Sequence, residues 1–198
     1  MRVCVLGDSG GLGSRIASEF NVGAIGLDEQ PPDECDGVVL VVGADPAPSS
    51  RPLIDTTEAE WRDVAEGAPL RAMRALQRAR RVTRAQCGNI VVVAPSVGLI
   101  GAGGLSPYVA GIEAIRSMAK SAARQWAADR ISVSLIVVPL GLIVSDAGDL
   151  VPHVGRGARK DVDLLDAVVR AVHFILSGAG PALTGSTLVV DGGAVMVP

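Results

Sequence analysis

RVCVLGDSGGLGSRIASEF, residues 2–20, is the stretch that decides the fold. The apolar run RVCVLG (2–7) reads as a strand ending at glycine, and SRIASEF (14–20) as a short helix. Between them GDSGGLG (7–13) places Gly7, Gly11 and Gly13 in the spacing G-x-x-x-G-x-G. Gly7 permits a tight turn, Gly11 lets backbone approach a phosphate group at the helix N-terminus, and Gly13 lets helix and strand pack closely. The next apolar run, VGAIGLDE (22–29), reads as a second strand with the acidic pair Asp28 and Glu29 at its end. An acid at that place can accept a hydrogen bond from an adenosine ribose hydroxyl. A glycine turn alone also serves plain packing. Strand, turn, helix, strand and acid in that order point to a nucleotide site.

The alternation continues outward from this unit. QPPDECD (30–36) is a proline-bearing connector, too short for a crossover helix plus a strand, and it leads directly into GVVLVVGA (37–44). That run lacks polar alternation, as a strand covered on both faces does. DTTEAEW (55–61) opens a helix, with Thr57 and Glu60 at capping-box spacing, and Gly67 and Pro69 are expected to kink or break it. GNIVVVAP (88–95) and ISVSLIVVP (131–139) read as strands. Residues 106–129 read as a long helix whose inward stripe is Ala110, Ile115, Met118, Ala119, Ala122 and Trp126. VDLLDAVVRAVHFIL (162–176) reads as a helix and STLVV (186–190) as a last strand. Strands alternating with helices make an α/β fold: a Rossmann-like, doubly wound parallel sheet in three α/β/α layers, one domain over residues 1–198.

Composition narrows the function classes. With 48% hydrophobic and 20% charged residues over 198 positions, the chain can build a core and is not disordered. A formal net charge of −3 leaves no electrostatic footprint for nucleic acid or an anionic membrane. The basic run RAMRALQRARRVTR (71–84) reads as a solvated helix face. Cys4, Cys35 and Cys87 form neither a disulfide framework nor a zinc pattern, and His153 and His173 lack ligand spacing, so no metal site is expected. MRVCVLGDSG is already a strand entering a turn rather than a signal peptide, and no apolar run reaches the ~18 residues of a membrane span. The expectation is a cytoplasmic protein.

Taken together, the chain resembles the short-chain dehydrogenase/reductase family from end to end. The resemblance rests on GDSGGLG, on GVVLVVGADP (37–46) and on GNIVVVAPSVGLIGAGGLSPYVA (88–110), which is similar to the family's active-site segment. ISVSLIVVPLG (131–141) resembles the strand before the family's Pro-Gly turn, and LTGSTLVVDGG (183–193) its C-terminal signature. The resemblance implies hydride transfer between a nicotinamide and a carbonyl or alcohol carbon. It also implies cofactor contacts from Gly7, Ser9, Gly11, Leu12, Gly13 and Asp28. About six strands are expected, in the order 2-1-4-5-6-7 by the family's numbering, because QPPDECD leaves no room for the usual third strand, which supplies part of the adenine pocket wall.

The family's working residues are only partly present. Tyr108, the one tyrosine, stands at the position of the catalytic tyrosine. Free tyrosine has a pKa near ~10, so the family uses a lysine one helical turn later to favour the phenolate and hold the nicotinamide ribose. That position is Ile112. Arg116 and Lys120 lie roughly 6 and 12 Å further along the helix and read as surface residues. The polarising serine falls at Pro95 by local register, with Ser96 one residue later. The helix asparagine is expected at Ala68, and the paired asparagines after the fourth strand read as Val41 and Val42. VSDAGDLVPHVGRGARK (144–160) is short for the family's lid and reads as a brief loop.

Three readings follow. The first is a non-catalytic family member supporting a catalytic paralogue in a homo- or hetero-oligomer. It would use 57–82, 106–129 and the C-terminal strand as its surfaces and bind NAD(P) weakly or not at all. The second is an active NAD(P)-dependent oxidoreductase with Tyr108 and Ser96 as a reduced catalytic pair. The third is a non-redox enzyme using Tyr108 as an acid or hydrogen-bond donor.

Overall fold

The computed structural model describes residues 1–7, 11–84, 88–145, 147–150 and 157–196. Six parallel strands form one sheet: β1 (Val3–Leu6), β2 (Ala24–Ile25), β3 (Gly37–Val41), β4 (Asn89–Pro95), β5 (Ser132–Val138) and β6 (Thr187–Val189). Their order is β2-β1-β3-β4-β5-β6, which is the expected arrangement with the third family strand absent and β2 on the edge. Register places Cys4 beside Val38, Val39 beside Val91, and Val91 beside Ser134. Every residue of β3, β4 and β5 is buried, because helices cover both faces. Each buried Val or Ile there contributes about 1.5–3 kcal/mol over leaving it in water.

Helices α1 (Leu12–Glu19) and α5 (Leu164–Phe174) pack together, as do α3 (Gly67–Val82) and α4 (Ser106–Trp126). Right-handed crossovers put these two pairs on opposite faces of the sheet. The connector 30–36 forms no strand outside β2. Instead Cys35 makes a single bridge to Thr83, with Cys35 N–H donating to Val82 O at 2.7 Å and Arg84 N–H to Cys35 O at 2.8 Å. The connector is thus tied to the end of α3.

Several expected boundaries change. The second strand is two residues rather than eight. Residues 26–29 form a turn in which the Glu29 carboxylate accepts from Gly26 N–H at 2.9 Å, so Glu29 is used locally. With no outer neighbour, β2 gains ladder bonds on one side only and ends early. The expected break at Gly67–Pro69 is a wider turn instead. Short helix α2 (Glu58–Trp61), capped by the Thr57 side chain accepting from Glu60 N–H at 3.2 Å, runs through a π-turn at Arg62–Glu66 into α3 without stopping. The π-turn lies over the carbonyls that Pro69 cannot serve, which lets the chain stay helical.

The inward stripe of α4 is also rotated. Ile115, Ala119 and Ala122 are buried as expected, whereas Ala110, Met118 and Trp126 are half-buried and Tyr108, Gly111, Ile112 and Ala123 take the interior. Helical structure after α5 continues through Ile175–Ala179 into α6 (Gly180–Leu183), with Gly178 at φ 134°. The whole span Leu164–Leu183 is long and apolar enough in composition to cross a membrane, contrary to the expectation that no stretch is. One face of it packs on the sheet: Val168, Val172 and Ile175 are fully buried and Leu176 lies against Gly37.

Candidate functional site

Tyr108 sits in the first turn of α4 and is 4% exposed. Its hydroxyl donates to the backbone carbonyl of Gly43 at 2.6 Å. Gly43 follows β3 with φ 101°, and a Cβ there would meet Pro95 Cδ at 2.8 Å and the Tyr108 hydroxyl at 3.0 Å. Three residues from three elements therefore close on one point. Gly43 is required both by its backbone angle and by the lack of space. Burial alone drives the Tyr108 pKa above the ordinary phenol value.

The positions that would activate the tyrosine are apolar. Ile112 is 2% exposed and packs against Gly98, whose Cβ would lie 3.0 Å from Ile112 Cγ2. Arg116 does not reach back. Its Nε donates to both carboxylate oxygens of Glu113 at 2.8 Å, and that hydrogen bond holds the guanidinium pKa above its usual value. Pro95 flanks Gly43, as the local register predicts, and Ser96 is a buried residue opening the next turn. Ala68 is buried in α3 at the asparagine position. Val41 and Val42 are each 2% exposed. Of the segment expected as a brief loop, residues 146 and 151–156 lie outside the described residues, whereas Val144, Ala147 and Leu150 belong to the same hydrophobic core as Ile112.

A cavity of about 190 Å³ opens at the carboxyl ends of β2, β1 and β3, lined by Gly7, Leu27, Asp28, residues 41–45 and Arg71. Small-molecule pockets run about 300–1,000 Å³, so it accommodates one end of a dinucleotide rather than the whole. Gly7 forms its floor at φ 89°, with N–H donating to Ile25 O at 2.8 Å, and a Cβ there would run into the Val41 carbonyl. Gly11 caps α1, and Leu12 and Gly13 are buried against the sheet. Ser9 lies outside the described residues. Asp28 lines the cavity, with Arg78 Nη2 3.6 Å from its Oδ1.

Arg71, which lines this cavity, and Arg78, which contacts its lining residues Leu27 and Asp28, were both read from sequence as solvated. Arg71 and Arg78 have side chains only 25% and 16% exposed. Arg78 donates to Leu27 O at 2.5 Å, which ties α3 to the turn after β2. Their seven-residue spacing, which puts both on one face of α3, was the available signal.

The chain matches the family model described as Enoyl-(Acyl carrier protein) reductase over residues 28–195. It is 31% identical to the 3-oxoacyl-(acyl-carrier-protein) reductase FabG of Salmonella typhimurium over 160 residues, 73% of this chain and 62% of that protein. It is 37% identical over 121 residues to an uncharacterised short-chain type dehydrogenase/reductase of Sinorhizobium fredii, 54% of this chain and 21% of that one. The chain thus spans less than two thirds of the length of either relative. Its fold superposes on a short-chain dehydrogenase from Burkholderia cenocepacia, solved in complex with NADP, with a TM-score of 0.76 at 20% identity, covering 98% and 97% of the two chains. The sheet order, the glycine-floored cavity and the matched span of 28–195 lead to one conclusion: the chain belongs to the short-chain dehydrogenase/reductase family.

Proposed function

We propose that this family member retains the adenosine end of an NAD(P)-class site and has given up the family's tyrosine-based hydride transfer, acting as a companion subunit to a catalytic paralogue. The observation that carries this reading is the Tyr108 hydroxyl bound to Gly43 O at 2.6 Å, one helical turn from a buried Ile112. A proton donor must reach the substrate oxygen. Here the donor proton is committed to backbone in an interior with no amine to favour its release.

The two ends of the cofactor fare differently. Gly7, Asp28 and the cavity beside them suit an adenosine moiety at the ends of β2, β1 and β3. The nicotinamide end lacks the ribose-binding amine, because the position that would supply it is the buried Ile112. When bound, a nicotinamide would supply hydride chemistry; this chain offers it no positioned acid. Binding therefore derives from the adenosine half. The half-buried Met73, Met118 and Trp126 between α3 and α4, and the exposed Leu70, supply apolar surface for a neighbouring subunit.

The test is co-expression with a complete family member, followed by native mass spectrometry and turnover assays. A stable hetero-oligomer whose turnover is insensitive to Tyr108→Phe in this chain is the expected result. A chain that stays free of such partners at micromolar concentration contradicts the companion role.

A second reading has its own support. The relatives carry reductase and dehydrogenase names, and Tyr108 keeps its family position, so an active NAD(P)-dependent oxidoreductase is the alternative. In that case α4 would shift enough to free the hydroxyl, and nicotinamide-dependent ketone reduction by the isolated chain would reveal it.

A further inference from the structure

A second cavity lies at the opposite end of the sheet from the glycine turn. It measures about 480 Å³ and is lined by Lys120, Ala123, Arg124 and Ala127 along the end of α4, and by Thr184 and Gly185 ahead of β6. That size falls within the range of small-molecule sites, which the cavity at Gly7 does not reach. Lys120 follows Tyr108 by three turns of the same helix, roughly 18 Å along its axis, so the two cavities are separate. Lys120, read from sequence as a surface residue, is half-buried here.

The charge at this cavity is of one sign. No carboxylate lines it, and among the described residues neither Lys120 nor Arg124 makes an ion pair. The acids nearest in sequence are engaged elsewhere, Glu113 by Arg116 and Asp129 by Arg80. Like charges four residues apart on a helix repel, and an anion held between them relieves that repulsion. Cations near a helix C-terminus also complement its dipole. The dipole accounts for their sign but not for the space beside them. Ala123, Ala127 and Gly185 keep that space open: a Cβ at Gly185 would meet only Ala123 Cβ, at 3.8 Å.

The facing wall is fixed and supplies a third donor. Leu183 O accepts from Ser134 Oγ at 3.0 Å and from Ser186 Oγ at 2.6 Å, and Gly185 N–H donates to Val133 O at 2.7 Å. Thr184 Oγ1 accepts from Val133 N–H at 3.2 Å. The Thr184 hydroxyl proton goes to no described residue, and the side chain borders the cavity. An ammonium, a guanidinium and a hydroxyl thus border one space. Three donors match the three terminal oxygens of a phosphate monoester, whose charge is near −2 at neutral pH; a carboxylate offers two oxygens and one charge.

We infer that this cavity binds a small organic phosphate, with Lys120, Arg124 and the Thr184 hydroxyl on the phosphate and the organic group against Ala123 and Ala127. The inference is independent of the cofactor cavity and of the companion role.

NMR titration of the folded chain tests it, read at the backbone amides of Ala123, Thr184 and Gly185. The probes are inorganic phosphate, n-butyl phosphate and n-butyrate. Expected are saturating shifts at these amides, with n-butyl phosphate binding tightest and n-butyrate weakest. Lys120→Gln and Arg124→Gln should each weaken n-butyl phosphate about tenfold or more. Arg124 is exposed and Lys120 half-buried, so both variants keep their fold, and neither residue touches the cavity at Gly7. Phosphate shifts confined to the start of α1, no saturation at tens of millimolar, or an affinity unchanged in both variants overturns the site. Tighter binding of n-butyrate overturns its assignment to a phosphate, and inorganic phosphate binding as tightly as n-butyl phosphate overturns the organic group.

Discussion

The Tyr108 hydroxyl and the Gly43 carbonyl, 65 residues apart in sequence, are joined by a 2.6 Å hydrogen bond in the interior of the protein. This bond pins the start of α4 to the end of β3. Tyr108→Phe leaves a buried carbonyl without a donor, which costs about 1–3 kcal/mol. Urea unfolding should show that loss with an unchanged m-value. A catalytic hydroxyl resting in an open cleft would instead give a Phe variant of wild-type stability.

Ile112→Lys restores the family's residue type but places an ammonium at a site 2% exposed, against Gly98 and with no acceptor supplied by Ala68. The charge must be desolvated or the amine must stay neutral. Expected is a destabilisation of about 3 kcal/mol or more by thermal melting, with no hydride transfer gained. Recovery of activity by this single change would show that the remaining geometry is still competent.

Gly7→Ala combines a left-handed backbone angle of 89° with a collision against the Val41 carbonyl. Neither can relax without parting β1 from β3, so the variant should lose about 3 kcal/mol or more. A melting temperature within a few degrees of wild type would contradict the tight closure of this turn.

Alkaline sensitivity follows from three buried acids, Cys4, Tyr108 and Cys35, the last also raised chiefly by burial. Burial, and secondarily Cys35, pushes the Cys4 thiol up to about 12, and burial likewise raises Tyr108. The unfolded values are ~8.5 for the two thiols and ~10 for the phenol. All three groups are neutral when protonated, so the unfolded chain releases protons first as pH rises. Stability should be level up to about pH 8.5 and fall steadily between there and pH 12, more steeply above ~10. In Tyr108→Phe the extra steepness above ~10 should vanish. Stability that rises over this interval would reverse the assigned directions.

The order of the sheet was legible because each strand has its own signal. Valine-rich runs without alternation mark the buried β3, β4 and β5, and the short QPPDECD forbids an extra strand. The extent of β2 was not legible, because an edge strand is limited by what pairs with it rather than by its own apolar residues. Pro69 suggested a break, but a π-turn upstream is set by packing against α4, where Gly111 would bring a Cβ within 3.1 Å of Val64 O. The positions of Tyr108, Ile112 and Pro95 in the site were readable from spacing. What Tyr108 bonds to was not, since a contact across 65 residues leaves no local pattern. Arg71 and Arg78 were hidden for a similar reason: their spacing puts them on one face of α3, but the residues that meet that face, Asp45, Leu27 and Asp28, lie elsewhere in the chain.

The most direct measurement is ketone-dependent oxidation of NADPH and NADH by the isolated chain, wild type and Tyr108→Phe, over a panel of ketone substrates. A buried, backbone-bound Tyr108 predicts no turnover above background in either protein, with both folded by circular dichroism. Wild-type turnover that disappears in a folded Tyr108→Phe variant would contradict it and establish Tyr108 as the proton donor of a working enzyme.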